Sequence, residues 1–138
     1  MQGRMLSFAA AVAASVMTVQ AHHSIAGAYD TNRQVRLEGT VTEFHFVNPH
    51  PYVTMQVNQV SNDDRSAQQW RLEMDNRSEL SDVGMHKDTL KAGDRIVVSG
   101  NPAAAQAHGL YIRRLDRPAD GFRYEQVGNS PRINFKPR

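Results

Sequence analysis

Val35-Arg36-Leu37-Glu38-Gly39-Thr40-Val41-Thr42-Glu43-Phe44-His45-Phe46 is the stretch on which the fold turns. Val35, Leu37, Gly39 and Val41 hold one parity with apolar or small residues, while Arg36, Glu38, Thr40 and Thr42 hold the other. That is the pattern of a strand buried on one face. After Val41 the apolar positions move to Phe44 and Phe46. A one-residue change of parity inside a strand marks a β-bulge, here expected at Thr42-Glu43, and a bulge bends the strand so that it can serve two sheets. Asn48-Pro49 then ends the strand in a turn.

Working outward, Tyr52 to Val60 alternates with Val53, Met55 and Val57 on one face, and the polar run from Ser61 to Gln69 reads as a loop. Trp70, Leu72 and Met74 alternate with Arg71, Glu73 and Asp75 in a third strand, which places the Trp70 ring inside. Asn76 or Ser78 can cap a helix of one or two turns that carries Leu80, Val83 and Met85 and weakens at Gly84. Leu90 to Asp94 turns into a fourth strand, Arg95 to Gly100, followed by a loop around Asn101-Pro102. Leu110 to Leu115 is the fifth strand, and Phe122 to Val127 pairs back as a short hairpin. Three strands, a short helix and two more strands, with the first strand long and bulged, is the order of a mainly β, OB-like five-stranded barrel. An open β-sandwich of the same strands is the alternative, because periodicity fixes the buried face more firmly than sheet closure.

The chain has 138 residues and no cysteine. Arg4 is the only charge before an apolar run from Leu6 to Val19, and Val19-Gln20-Ala21 has the small residues a signal peptidase requires. Residues 1–21 therefore read as a signal peptide, and the run is short for a membrane span. Mature protein then begins at His22, with one OB-like β domain over 22–127 and an extended or disordered tail over 128–138. The expected location is periplasmic or secreted, with no membrane contact after cleavage. Losing Arg4 takes the formal net charge from +2 to +1. That balance lacks the clustered Lys and Arg that nucleic acid demands, so no nucleic-acid partner is expected. Without cysteine, any bound metal must use His, Met, carboxylate or backbone ligands.

His22-His23-Ser24 after the cleavage site, Leu37-Glu38-Gly39-Thr40-Val41 leading to Asn48-Pro49-His50, Trp70-Arg71-Leu72-Glu73 and Thr89-Leu90-Lys91-Ala92-Gly93-Asp94 resemble a family of small exported bacterial proteins of unknown function. The resemblance covers most of the mature chain to about Asp116 and implies no activity, cofactor or catalytic residue. Met85 departs from it, standing where such chains tend to have Trp.

A chain beginning with His22 offers a metal its α-amine and imidazole together, and imidazole nitrogen suits copper. His50, on a loop stiffened by Pro49 and Pro51, is the candidate third nitrogen; His23 can ligate instead through amine, backbone amide and imidazole. His45, His86 and His108 read as structural or solvated, and Met55, Met74 and Met85 as core filler. The other class of function is a ligand- or protein-binding barrel with no metal role. OB folds bind on strands two and three and in nearby loops, which nominates Tyr52, Thr54, Arg71, Glu73 and Tyr111. Expected partners are thus a metal ion, a small ligand or a protein. No G-x-S-x-G, phosphate loop or H-E-x-x-H is present, so no enzyme is expected.

Overall fold

In the computed structural model, which describes residues 25–57 and 68–134, the deciding stretch forms one strand, Val35–His45 (β1). It is joined in chain order by α1 (Ile25–Ala28) before it, then β2 (Tyr52–Val57), β3 (Gln68–Glu73), α2 (Arg77–Asp82), β4 (Arg95–Pro102), β5 (Gly109–Arg117), β6 (Phe122–Val127) and β7 (Ser130–Ile133). Val41 faces Met55 across the ladder and Glu43 faces Thr54, so Thr42 is the extra residue of the bulge. The bend lets the first half of β1 pair with β4 and the second half with β2. Where the two pairings overlap, Gly39 has no room for a side chain: a Cβ there would enter the carbonyl oxygen of Gln56.

Both β2 and β5 pair with β3, the first antiparallel and the second parallel. The parallel contact is short, with Arg71 opposite Gly109, Leu72 opposite Leu110 and Glu73 opposite Tyr111. It closes the circuit β3-β2-β1-β4-β5 into a five-stranded barrel, not an open sandwich. Inside lie Leu37, Val41, Val53, Met55, Leu72, Ile96, Val98, Leu110, Ile112 and Leu115, with Phe44 packed against them on the far side of the bulge. Trp70 is buried, as its parity with Leu72 requires.

The connection from β3 to β4 holds the expected helix. Asn76 caps α2 by accepting the Glu79 backbone N–H at 2.9 Å. At the other end the Gly84 N–H reaches the Ser81 carbonyl and the Met85 N–H reaches that of Leu80. This pair of bonds is a Schellman stop, which needs the left-handed backbone Gly84 adopts at φ +102°. Leu80 and Met85 are both buried, so Met85 fills core space at the position where the family resemblance led one to expect Trp.

Several boundaries differ from the sequence reading: Gln68 and Gln69, read as loop, open β3, and β5 runs one residue earlier and two residues later than Leu110 to Leu115. Asn101 and Pro102, read as a loop, continue β4 opposite Tyr111 and Leu110. Asn101 is held there by its side chain, which donates to the Arg33 carbonyl and accepts from Arg113 Nε, both at 2.8 Å. In the segment after Gly128, Ser130–Ile133 pairs with β6 as β7. Pro131 lacks the N–H of a ladder residue and so hides a strand from sequence reading, yet it is tolerated at a sheet edge. The sheet β5-β6-β7 thus extends beyond the barrel, and β7 packs against α2.

Candidate functional site

The barrel seam sets one row of outward positions side by side. His45 is opposite Tyr52, Tyr52 opposite Glu73, and Glu73 opposite Tyr111, so four strands contribute one residue each. Two residues from Glu73 on the same face of β3, Arg71 lays its guanidinium 3.4 Å from the centre of the Tyr52 ring. His45 stacks on that ring from the β1 side, at 4.2 Å and 16°. Since β1 and β3 flank β2, Tyr52 is clasped between an imidazole and a guanidinium.

α1 brings a lid to the other end of the row. Tyr29 bridges to Ala103, the Asp30 N–H reaches the Pro102 carbonyl and the Ala104 N–H that of Ala28. These bonds fix the Tyr29 ring 5.5 Å from that of Tyr111 and let its hydroxyl donate to Glu73 Oε2 at 2.5 Å. Burial, then the hydrogen bond and charge of Glu73, push the Tyr29 phenol far above its ordinary pKa. Tyr111 is only 1% exposed, and among the described residues its hydroxyl has no hydrogen-bond partner. Burial, then the nearby Asp75 carboxylate, raise its pKa as well, against an opposing pull from Arg113.

The third wall is the β1–β2 loop, Val47-Asn48-Pro49-His50, with a cis Asn48–Pro49 peptide. His50 Nδ1 lies 3.2 Å from the Met74 carbonyl oxygen. A carbonyl can only accept, so this contact assigns the proton to Nδ1 and leaves the lone pair on Nε2. Together α1, the loop and the row enclose a cleft of about 410 Å³, with Ile25, Ala28, Val47 and Pro49 as its apolar lining.

Five of the residues nominated from sequence meet in this cleft: His50, Tyr52, Arg71, Glu73 and Tyr111. Thr54 does not. Its hydroxyl accepts from Thr42 Oγ1 at 2.8 Å, beside the bulge, and it serves the strand pairing. His22 and His23 lie outside the described residues. Among the described residues no three His, Asp or Glu side chains are grouped to hold a metal ion. His86 and His108 are exposed, and His108 rests against Trp70 with 5.2 Å between ring centres. Sequence reading missed α1 and Tyr29 just after it, because a four-residue helix carries no periodicity by which to find it.

A family model matches residues 10–112, most of the chain. The chain belongs to DUF6152, a family of unknown function. That membership agrees with the resemblance drawn from the strand and turn motifs, and the family's description names no activity to carry over to this DUF6152 member. No curated protein matches it. Among solved structures, it is similar to the ZRD-deleted mutant of TiaS in complex with agmatine, at 17% identity and a TM-score of 0.42, covering 76% of this chain. The chain spans 24% of that structure's length.

Proposed function

We propose that this DUF6152 protein is an exported binding module that takes up Cu(II) at the mouth of the cleft, through a mature N-terminus at His22 and through His50, and that it carries or senses the metal without catalysing a reaction. The observation that supports this reading is that Ile25 and His50 line the same cleft. Three Cα steps of about 3.8 Å keep His22 within roughly 11 Å of Ile25 whatever path the chain takes. A His22 amine and imidazole can therefore reach the loop that carries His50. The His50 ring suits the role, since its Nδ1–H is tied to the Met74 carbonyl and Nε2 bears the lone pair. Metal-binding histidines are commonly oriented by such a bond from the other ring nitrogen. His23 is the substitute ligand if the amine, backbone amide and imidazole bind in sequence.

Cu(II) titration of protein beginning at His22 tests the reading, against protein carrying one extra residue before His22 and against His50→Ala. The extra residue takes the amine out of the chelate, and His50→Ala removes the third nitrogen, so each weakens binding. His86→Ala and His108→Ala leave it unchanged. An α-amine ordinarily titrates at about 7.7 to 8.0 and must lose its proton to ligate, so binding releases protons and weakens as pH falls below neutrality. If the extended protein and His50→Ala both bind Cu(II) as tightly as the mature protein, the metal reading is wrong. The barrel is then a ligand- or protein-binding module whose histidines play no part.

A further inference from the structure

The cleft over the seam holds two unlike charges on one strand, Arg71 and Glu73, spaced two residues apart and so on the same face of β3. No ion pair joins them, and among the described residues the Arg71 N–H groups have no acceptor. Stacking on Tyr52 holds the guanidinium plane and leaves its edge to make hydrogen bonds, the arrangement in which arginine grips a carboxylate with two parallel bonds. Glu73 uses Oε2 to accept from Tyr29, which fixes the carboxylate, while Oε1 accepts nothing among the described residues. Tyr111 lines the same wall, its hydroxyl buried and, among the described residues, without a hydrogen-bond partner.

The charge balance selects the ligand. An anion alone would meet Glu73 and a cation alone would meet Arg71, whereas a molecule with both charges two or three bonds apart satisfies each. Stacking ligands fit less well, because both faces of Tyr52 are covered by His45 and Arg71. The remaining lining is apolar, and Val47 is 45% exposed at the rim, unusual for a large aliphatic side chain on this protein. We infer that the cleft binds a free α-amino acid with an apolar side chain: carboxylate on Arg71, ammonium on Glu73, and side chain against Ile25, Ala28 and Val47. The inference does not depend on copper, and it is tested without it.

Isothermal titration calorimetry of metal-free protein beginning at His22 compares L-leucine with N-acetyl-L-leucine, which lacks the ammonium, and L-leucinamide, which lacks the carboxylate. Leucine binds, and each analogue binds roughly ten- to a hundredfold more weakly, as expected for loss of one charged hydrogen-bonded contact. Arg71→Gln weakens leucine by a similar factor and has little effect on leucinamide; Glu73→Gln weakens leucine and has little effect on N-acetyl-leucine. Because the analogues are compared on unmodified protein, a variant that folds poorly does not blunt the test. Three results overturn the inference: no binding of leucine, equal binding of all three compounds, or leucine binding that emerges only when residues 22–24 are removed. The last would assign the cleft to the chain's own N-terminal segment.

Discussion

Two buried phenols, Tyr111 and Tyr124, differ by one hydrogen bond. Tyr124 donates to Gln126 Oε1 at 2.6 Å, and Gln126 in turn donates from Nε2 to Asp75 Oδ2, so the chain of polar groups under β6 is closed. Tyr111 has no such partner among the described residues. Removing a bonded hydroxyl leaves Gln126 with a buried acceptor unmet, whereas removing an unbonded one removes a desolvated group that gained nothing on folding. Tyr124→Phe should therefore lower stability by about 1 to 3 kcal/mol, while Tyr111→Phe should leave it unchanged or raise it in protein without ligand. Urea unfolding of the two variants checks this; Tyr111→Phe losing as much as Tyr124→Phe would show that its hydroxyl is satisfied. Sequence alone nominated Tyr111 for the binding face from its place beside the loop before β5, and it lines the cleft. Its burial was hidden because the covering side chain, Tyr29, lies more than eighty residues earlier, just after a helix too short to carry a pattern.

At the level of elements, α2 depends on chemistry at its two ends more than on its length. Six residues form too few helical bonds to persist alone, so the helix rests on its cap, its Schellman stop and the burial of Leu80. The Asn76 side-chain oxygen accepts from the Glu79 N–H and from Ser78 Oγ, at 2.9 and 2.7 Å. Asn76→Ala should cost about 1 kcal/mol, and Asn76→Ser, which keeps a capping oxygen, should cost less. Thermal unfolding of both variants checks the order; equal losses would mean that the cap contributes little here. Such local signals explain what could be read in advance. The cap, Gly84 and the bulge at Thr42 are each written in neighbouring residues, and so were the five barrel strands. β7 was not, since Pro131 breaks the strand pattern and only pairing with β6 makes it one. The end of β4 was not either, because what straightens Asn101-Pro102 is a side-chain bond to Arg33, 68 positions away.

For the molecule as a whole, the binding cleft and the weakest join of the barrel coincide. Six consecutive residue pairs tie β1 to β4, and antiparallel pairs likewise tie β2 to β3, but the β3–β5 seam rests on three parallel pairs. Parallel pairing is slightly weaker per residue, and a short ladder offers few bonds to break in a local opening. Arg71 sits on this seam: its backbone N–H donates to the His108 carbonyl at 2.9 Å, while its side chain lies in the cleft. Opening the seam thus exposes the Arg71 amide without unfolding β1 or β4. Hydrogen exchange should show that amide exchanging at least about tenfold faster than the slowest amides of β1 and β4, which need global unfolding. The proposed amino acid, held by Arg71 and Glu73 of β3 in a cleft that Tyr111 of β5 also lines, sits over the seam and binds the closed form. Mass action then lowers the open population, so saturating L-leucine should slow the Arg71 amide while leaving amides far from the seam, such as those of the β6–β7 hairpin, much less affected. An Arg71 amide that already exchanges as slowly as the core of β1 would show the seam to be as firm as the rest of the barrel, and the coupling between cleft and closure would fall with it.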